Sequence, residues 1–379
     1  MIEDATPEEM GFAPEAWQQM LDLAESFCTT NAIPAIGLQV GRTGKASPTF
    51  CFGRQNLGDK NSSLQKDSLF AIASITKPIV ATGVMLFVER GLLSLNDRLH
   101  DWVPEFKGAG RYNITVRHLL THTSGLPDML SNNQQLRESH APLSQFFEGV
   151  CSVPLNFPPG SSTEYSSMGF LLLAELISRL SGKSCSQFLQ DEIFKPLGMR
   201  ETVLGASAEW ISSQNRQSRL TEIRLPPEQQ ETDWHWNSDY WRTTGVPWGG
   251  MLSTVTDLGR FAQMIISRGR NGVSQLVSPA TIDVMTCNQL EPMRKIPEPE
   301  RRCRGWGYGW RMQRTDHSAT FGDLFSPQVY GHFGATGTLL WIDPTRDLYA
   351  IILTTQPLTM QTAHLSRLTN AIVASVIEQ

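Results

Sequence analysis

The stretch ASITKP, residues 73–78, sets a serine three positions before a lysine, with a proline directly after it. An apolar run follows, IVATGVMLFVERG at 79–91. Positions i and i+3 share one helix face, so a helix starting near Ser74 turns Lys77 toward it. Pro78 suits a first turn, where its missing N–H would lack a partner anyway. The run predicts a deeply buried helix over 78–89, stopped at Gly91. A serine hydroxyl is a poor nucleophile until a base takes its proton. Burial of the lysine stem disfavours the ammonium and makes a neutral, proton-accepting amine available. The helix N-terminus also aims N–H groups at a developing oxyanion. S-x-x-K alone reads more readily as a capping serine with a solvated lysine, so the rest of the chain must decide.

The chain has 379 residues, 40% hydrophobic and 18% charged, with a formal net charge of −5. That is enough for a large core, in one big domain or two lobes. No Lys/Arg block stands out, which argues against nucleic acid as a partner. No apolar run reaches membrane-spanning length. The start, MIEDATPEEMG, is acidic and lacks the basic-then-apolar form of a signal peptide. A cytoplasmic location is expected, or a periplasmic one if an export signal has been removed. The six cysteines are scattered without a C-x-x-C pair, so buried free thiols are expected rather than zinc or a disulfide framework.

Helical spacing from Trp17 to Cys28 after Pro14 predicts a first helix. AIGLQVG and TFCFGRQN read as strands, and LFAIA leads into Ser74. Residues 92–165 read as loops with short helices. SMGFLLLAELISRLSGKS predicts a helix ending at Gly182, and SCSQFLQDEIFKPLG a second stopped at Gly198. TVTDLGRFAQMIISRG is helical again. WGYGWRMQ, YGHFGATGTLLWID and LYAIILTTQ are three strand candidates, the last two joined by a DPTRD turn. A final helix presents Leu365, Leu368, Ile372 and Val376, and PEPERR near 297 reads as an exposed loop. Strands at both ends and helices between predict an antiparallel sheet built from both termini and flanked by helices. An all-helical lobe then faces it across a cleft. The expected single domain spans 1–379, with its α/β lobe at about 1–73 and 300–379 and its helical lobe at about 74–299.

Two further motifs accompany Ser74 and Lys77. One is EYSSMGF, with Tyr165, Ser166 and Ser167 just before a helix; the other is YGHFGATG, with His332, Phe333, Gly334 and Ala335 in a strand pattern. S-x-x-K followed by a second polar element and a K-T-G element marks β-lactamases and penicillin-binding proteins. The chain resembles the class C β-lactamase-like serine hydrolases, a superfamily that also holds DD-peptidases, D-aminopeptidases and family VIII carboxylesterases. SITKPIVATGVMLFVERGLLSLNDRLHDWVPEF, VRHLLTHTSGLPD, PPGSSTEYSSMGFLLLAELI, GGMLSTVTDLGRF and GHFGATG carry the resemblance over most of the chain. It implies an α/β (α+β) β-lactamase/transpeptidase-like fold and no metal or organic cofactor. It also implies Ser74 as the acylated nucleophile, Lys77 sharing its proton, and Tyr165 as a second acid/base. The N–H groups of Ser74 and Ala335 would form the oxyanion hole. Ser167, His332, Phe333, Gly334 and Trp248 would line the substrate pocket.

Two departures bear on the substrate. Where the family's tyrosine element ends in asparagine, this chain has Ser167, shorter but able to contact Lys77. Where K-T-G has lysine and threonine, it has His332 and Phe333. Neutral imidazole and phenyl give a substrate carboxylate less to hold. The expected function is therefore a carboxylesterase on small esters, working through an acyl-enzyme. The alternatives are a β-lactamase or D-amino-acid peptidase (DD-carboxypeptidase), or a non-catalytic binding protein that keeps the fold. The expected partner is a small ester, amide or lactam.

Three features read more plainly. His118 and His122 in HLLTH have zinc-helix spacing but lack the following glutamate, so metal binding is not expected. Ser124 in HTSG lacks the first glycine of a nucleophile elbow and reads as a turn. The tryptophans at 234–248 read as an aromatic wall at the cleft mouth in preference to core, because their neighbours are polar.

Overall fold

The computed structural model describes residues 3–108, 110–313, 321–358 and 363–377. Five helices organise it: α1 (Pro14–Thr29), α2 (Thr76–Glu89), α3 (Ser167–Ser181), α4 (Val255–Ile266) and α5 (Ala363–Ala374). The main sheet draws on both ends of the chain. The N-terminal part supplies β1 (Ala35–Arg42) and β2 (Phe50–Gly53), plus the short strands Glu3–Asp4 and Lys45–Ala46. The C-terminal part supplies β3 (Tyr330–Gly334), β4 (Thr338–Asp343) and β5 (Leu348–Thr354), plus Arg311–Met312. β5 lies antiparallel against β1, with Ile352 opposite Leu38. β4 and β3 follow outward, and Arg311–Met312 closes that edge.

The central strands β1, β4 and β5 are buried on both faces, so the side-chain period of 2 sorts apolar residues between two cores. On β4, Leu339 and Trp341 face α1 and α5, where Trp17, Met20, Leu368 and Ile372 cover them. Leu340 and Ile342 face the other way, into the larger core that holds α2, α3 and α4. Helix α4 falls within the stretch expected for the helical lobe, yet its Val255, Leu258 and Phe261 join the core on that sheet face. α2 matches its apolar sequence: every residue from Thr76 to Phe87 is buried. Gly91 follows it with φ 66°, and Gly182 closes α3 with φ 67°.

Several local expectations change. YGHFGATGTLLWID is not one strand but the β3–β4 hairpin, turning at Gly337 with φ 93°, a backbone angle that glycine adopts freely. In WGYGWRMQ only Arg311–Met312 joins the main sheet, because Gly309 takes φ 77° and breaks the extended run. Phe70–Ala71 leaves the main sheet for a small one with Val203–Leu204 and Met251–Ser253. The helix expected from 184 to 198 is interrupted by a wider turn at Gln190–Phe194. PEPERR is a short helix (Glu298–Cys303), tied down where Glu300 accepts from the Ser162 hydroxyl (2.7 Å) and the Thr163 N–H (3.1 Å). No disulfide forms among the described residues; Cys185 is buried and Cys287 exposed. Among the described residues no helix is long and apolar enough to cross a membrane.

Candidate active site

The serine's turn is held from three sides. Ser74 lies in the turn Ala73–Ile75 that leads into α2. Ala73 has φ 46°, a left-handed angle unfavourable for a residue with a Cβ, so surrounding contacts must impose it. They are visible: the Thr336 hydroxyl donates to the Ala71 carbonyl (2.7 Å) and the Thr338 hydroxyl to the Ile72 carbonyl (2.9 Å). From the small sheet, the Ile72 N–H donates to the Met251 carbonyl (3.1 Å). Gly334 fits between: a Cβ there would strike the Ile72 carbonyl oxygen and come within 2.9 Å of the Ala73 Cβ. The end of β3 can approach the nucleophile's turn only without a side chain at 334.

Lys77 is fully buried. Its Nζ lies 3.0 Å from Ser74 Oγ and donates to the Trp248 carbonyl at 2.7 Å. Burial lowers its pKa from the ordinary 10.5 to about 7, while the Asp128 carboxylate pulls the other way. Tyr165 sits beside it, its ring centroid 4.6 Å from Lys77 Nζ. Burial moves the phenol the opposite way, well above its usual pKa, with a hydrogen bond to Ser74 offsetting only part of this. Around neutral pH, then, much of Lys77 is a free amine, and Tyr165 keeps its proton. Such a divergent pair is what acid–base chemistry requires.

His332 points from β3 into the same cluster, 6.0 Å from Tyr165 between ring centroids. Its Nδ1 lies 2.8 Å from the Phe333 carbonyl, an acceptor, which places the proton on Nδ1. Nε2 is then a buried acceptor with no partner among the described residues. Burial, reinforced by Lys77, holds the imidazole neutral with a pKa of about 3. Phe333 alternates to the other sheet face, beside Phe321 and packed on the core under α1 and α5, so its ring is not the pocket wall expected.

Ser167 opens α3 and is buried, but a contact with Lys77, which its hydroxyl could make, is absent among the described hydrogen bonds. Its N–H donates to Asp128 Oδ1 (2.9 Å), and the Trp248 carbonyl accepts from Lys77 in its place. The Trp248 indole itself lies in the core against Phe146, so only its backbone faces the site. Trp234 and Trp241 are likewise buried, with the Arg137 guanidinium over both rings. Of the expected aromatic wall, Trp234, Trp241 and Trp248 are therefore core and Trp236 is partly buried against it, Arg137 supplying the polar partner that the sequence neighbours had suggested was solvent. The Ala335 N–H donates to no group among the described residues, and Ser74 stands in a first turn, where N–H groups lack helical partners.

Five contributors were not singled out from the sequence. Trp306 stacks near Tyr165 (5.8 Å) and meets His122 edge-on (4.3 Å). Arg311, at the sheet edge, places its guanidinium 5.5 Å from the Trp306 ring and 5.7 Å from the Phe333 ring. Asp128 influences Lys77 and Tyr165, and Thr336 and Thr338 hold the nucleophile's turn. Nothing periodic marks them, although LPD at 126–128 sits inside a segment that already resembled the family.

Residues 22–374 match the Beta-lactamase family. The chain belongs to that family. It is a serine hydrolase of the β-lactamase and penicillin-binding-protein superfamily. One relative, from Escherichia coli (strain K12), is provisionally named a D-alanyl-D-alanine carboxypeptidase; it is 25% identical over 386 residues, covering 94% of this chain and 86% of its own. Solved structures share the fold at lower identity. A penicillin-binding protein homologue from Caulobacter crescentus superposes with a TM-score of 0.78 at 20% identity, covering 96% of this chain and 99% of that one. A family VIII carboxylesterase superposes with a TM-score of 0.75 at 19% identity, covering 96% and 97%. Among the described residues of this β-lactamase family member, no group of three or more metal-ligating side chains comes together.

Proposed function

We propose that this hydrolase is a carboxylesterase for small esters, acylated on Ser74. The observation that carries the reading is the placement of Lys77 Nζ 3.0 Å from Ser74 Oγ and 4.6 Å from the Tyr165 ring, where burial pushes the two groups' pKa values in opposite directions. Neutral Lys77 accepts the Ser74 proton as Oγ attacks the ester carbonyl. The N–H groups of Ser74 and Ala335 stabilise the oxyanion. Tyr165, which keeps its proton, donates it to the departing alkoxide and regains one from the Lys77 ammonium. Water then repeats the attack on the acyl-enzyme and releases the acid.

Preference for esters follows from what stands beside Ser74. His332 is neutral, and Phe333 turns its ring away and carries no hydroxyl. A β-lactam carboxylate therefore finds neither lysine nor threonine at these positions. Each lost charge-assisted hydrogen bond is worth about 1.5–3 kcal/mol. With p-nitrophenyl butyrate and nitrocefin as substrates, kcat/KM should be far higher for the ester. An equal or higher value for nitrocefin overturns the esterase reading.

Arg311 supports a second reading, a D-amino-acid carboxypeptidase. Burial disfavours its charge most, Arg304 adds to this and Tyr165 opposes it, and no carboxylate among the described residues pairs with it. A guanidinium held between two rings at the edge of β3 suits the terminal carboxylate of a peptide. Release of D-alanine from a D-Ala-D-Ala peptide, lost in Arg311→Ala while ester cleavage persists, favours this reading.

A further inference from the structure

His122 has no part in the proton path above, and its sequence setting gave it no role. Its surroundings are nevertheless specific. The residue is fully shielded from solvent and takes φ 57°. Its main chain and its side chain both grip the segment that carries Tyr165. The Glu164 N–H, one residue before Tyr165, donates to the His122 carbonyl (2.9 Å). The Ser166 N–H, one residue after, donates to His122 Nδ1 (3.0 Å). The imidazole also packs on the phenol ring between these two anchors, with centroids 4.7 Å apart. Trp306 and Phe170 close over the imidazole at 4.3 and 5.4 Å.

We propose that His122 is the positioning residue for Tyr165, fixing the backbone on both sides of it and the plane of its ring. The proposal rests on the reading of Tyr165 as an acid/base. The chemistry of the clamp demands a neutral imidazole of one tautomer: Nδ1 must be bare to accept from Ser166, so the proton is on Nε2. Burial above all, with Lys77 and Arg311 nearby, disfavours a second proton. The left-handed backbone narrows the replacements, since asparagine tolerates that region better than most residues. Asparagine also offers Oδ1 where the histidine has Nδ1. Glutamine places its amide one bond too far out.

The role predicts a graded series. A misplacement of about 1 Å at a reacting group can cost on the order of a hundredfold in rate. His122→Ala and His122→Gln should lower kcat for p-nitrophenyl butyrate by about ten- to a hundredfold with little change in KM. His122→Asn should recover most of that loss. Thermal melting of each variant separates this effect from unfolding; should His122→Ala not fold, the Asn and Gln variants carry the comparison. The decisive measurement is the cycle with Tyr165→Phe. Once the phenol hydroxyl is gone, its placement no longer matters, so His122→Gln should then cost little more. Equal kcat in folded Asn and Gln variants, or the same loss with and without the Tyr165 hydroxyl, overturns the proposal. Near-normal turnover in Tyr165→Phe alone would instead refute the acid/base reading on which it depends.

Discussion

Replacing Lys77 by methionine tests the central feature of the site through stability rather than rate. The two side chains are similar in volume, so packing changes little. In the folded chain the Lys77 pKa falls from the ordinary 10.5 to about 7 because the amine is wholly buried. At about 1.36 kcal/mol per pH unit, that fall corresponds to roughly 5 kcal/mol. The direction follows from proton counts. Below pH 7 the folded and unfolded chains both hold the ammonium, and the full cost of burying it is present. Between about 7 and 10.5 the folded chain has released the proton while the unfolded chain keeps it, so stability rises with pH. Above 10.5 both are neutral and the dependence ends. Lys77→Met removes this whole contribution but leaves the Trp248 carbonyl without its 2.7 Å donor, a cost of about 1–3 kcal/mol at every pH. The variant should therefore be more stable than the parent by about 2–4 kcal/mol at pH 6. That advantage should shrink by about 1.4 kcal/mol per pH unit above 7 and reverse near pH 8.5–10. Urea unfolding of both proteins at pH 6, 8 and 9.5 measures it, and a constant m-value confirms that the same transition is compared. A difference between the two proteins that stays flat from pH 6 to 9.5 refutes the argument, because it would mean that Lys77 titrates near 10.5.

Ser74→Ala should abolish covalent labelling by a fluorophosphonate while leaving the melting temperature close to that of the parent; persistent labelling would move the nucleophile elsewhere. The kcat/KM for an ester should fall about tenfold per pH unit below about 7, as Lys77 gains its proton, and level off above it. A rate independent of pH from 5 to 8 would separate Lys77 from the base role. Gly334→Ala forces a Cβ onto the Ile72 carbonyl and should cost about 1–3 kcal/mol of stability together with most of the activity. Unchanged melting and turnover would show that β3 does not set the position of the Ser74 turn.

Much of the fold could be read locally. α2 is apolar on every side and can only be buried, and α3 and α4 carry one-sided apolar patterns with polar caps at Ser166 and Thr254. Strands at both ends required a sheet joined across the length of the chain, and β1 does pair with β5. The misreadings arose where one residue's backbone angle or one remote partner outweighed the pattern. Gly337 and Gly309 broke apparently continuous strands, and Arg137 made polar-flanked tryptophans into core. The contact open to Ser167 is not among the described hydrogen bonds, and Lys77 donates instead to a carbonyl 171 positions away.

The sequence by itself determined the proximity of Ser74 and Lys77, since three residues of helix leave them no choice but to share a face. It also determined that the lysine would be buried, because the helix that follows is apolar all round. It did not determine how the two side chains titrate or where the third group stands. Those depend on desolvation and on distances between segments far apart in the chain: Tyr165 over Lys77, the β3–β4 hairpin against Ala71 and Ile72, and His122 on either side of Tyr165. A pKa is set by everything within a few ångströms of the group, and only tertiary packing decides what that is.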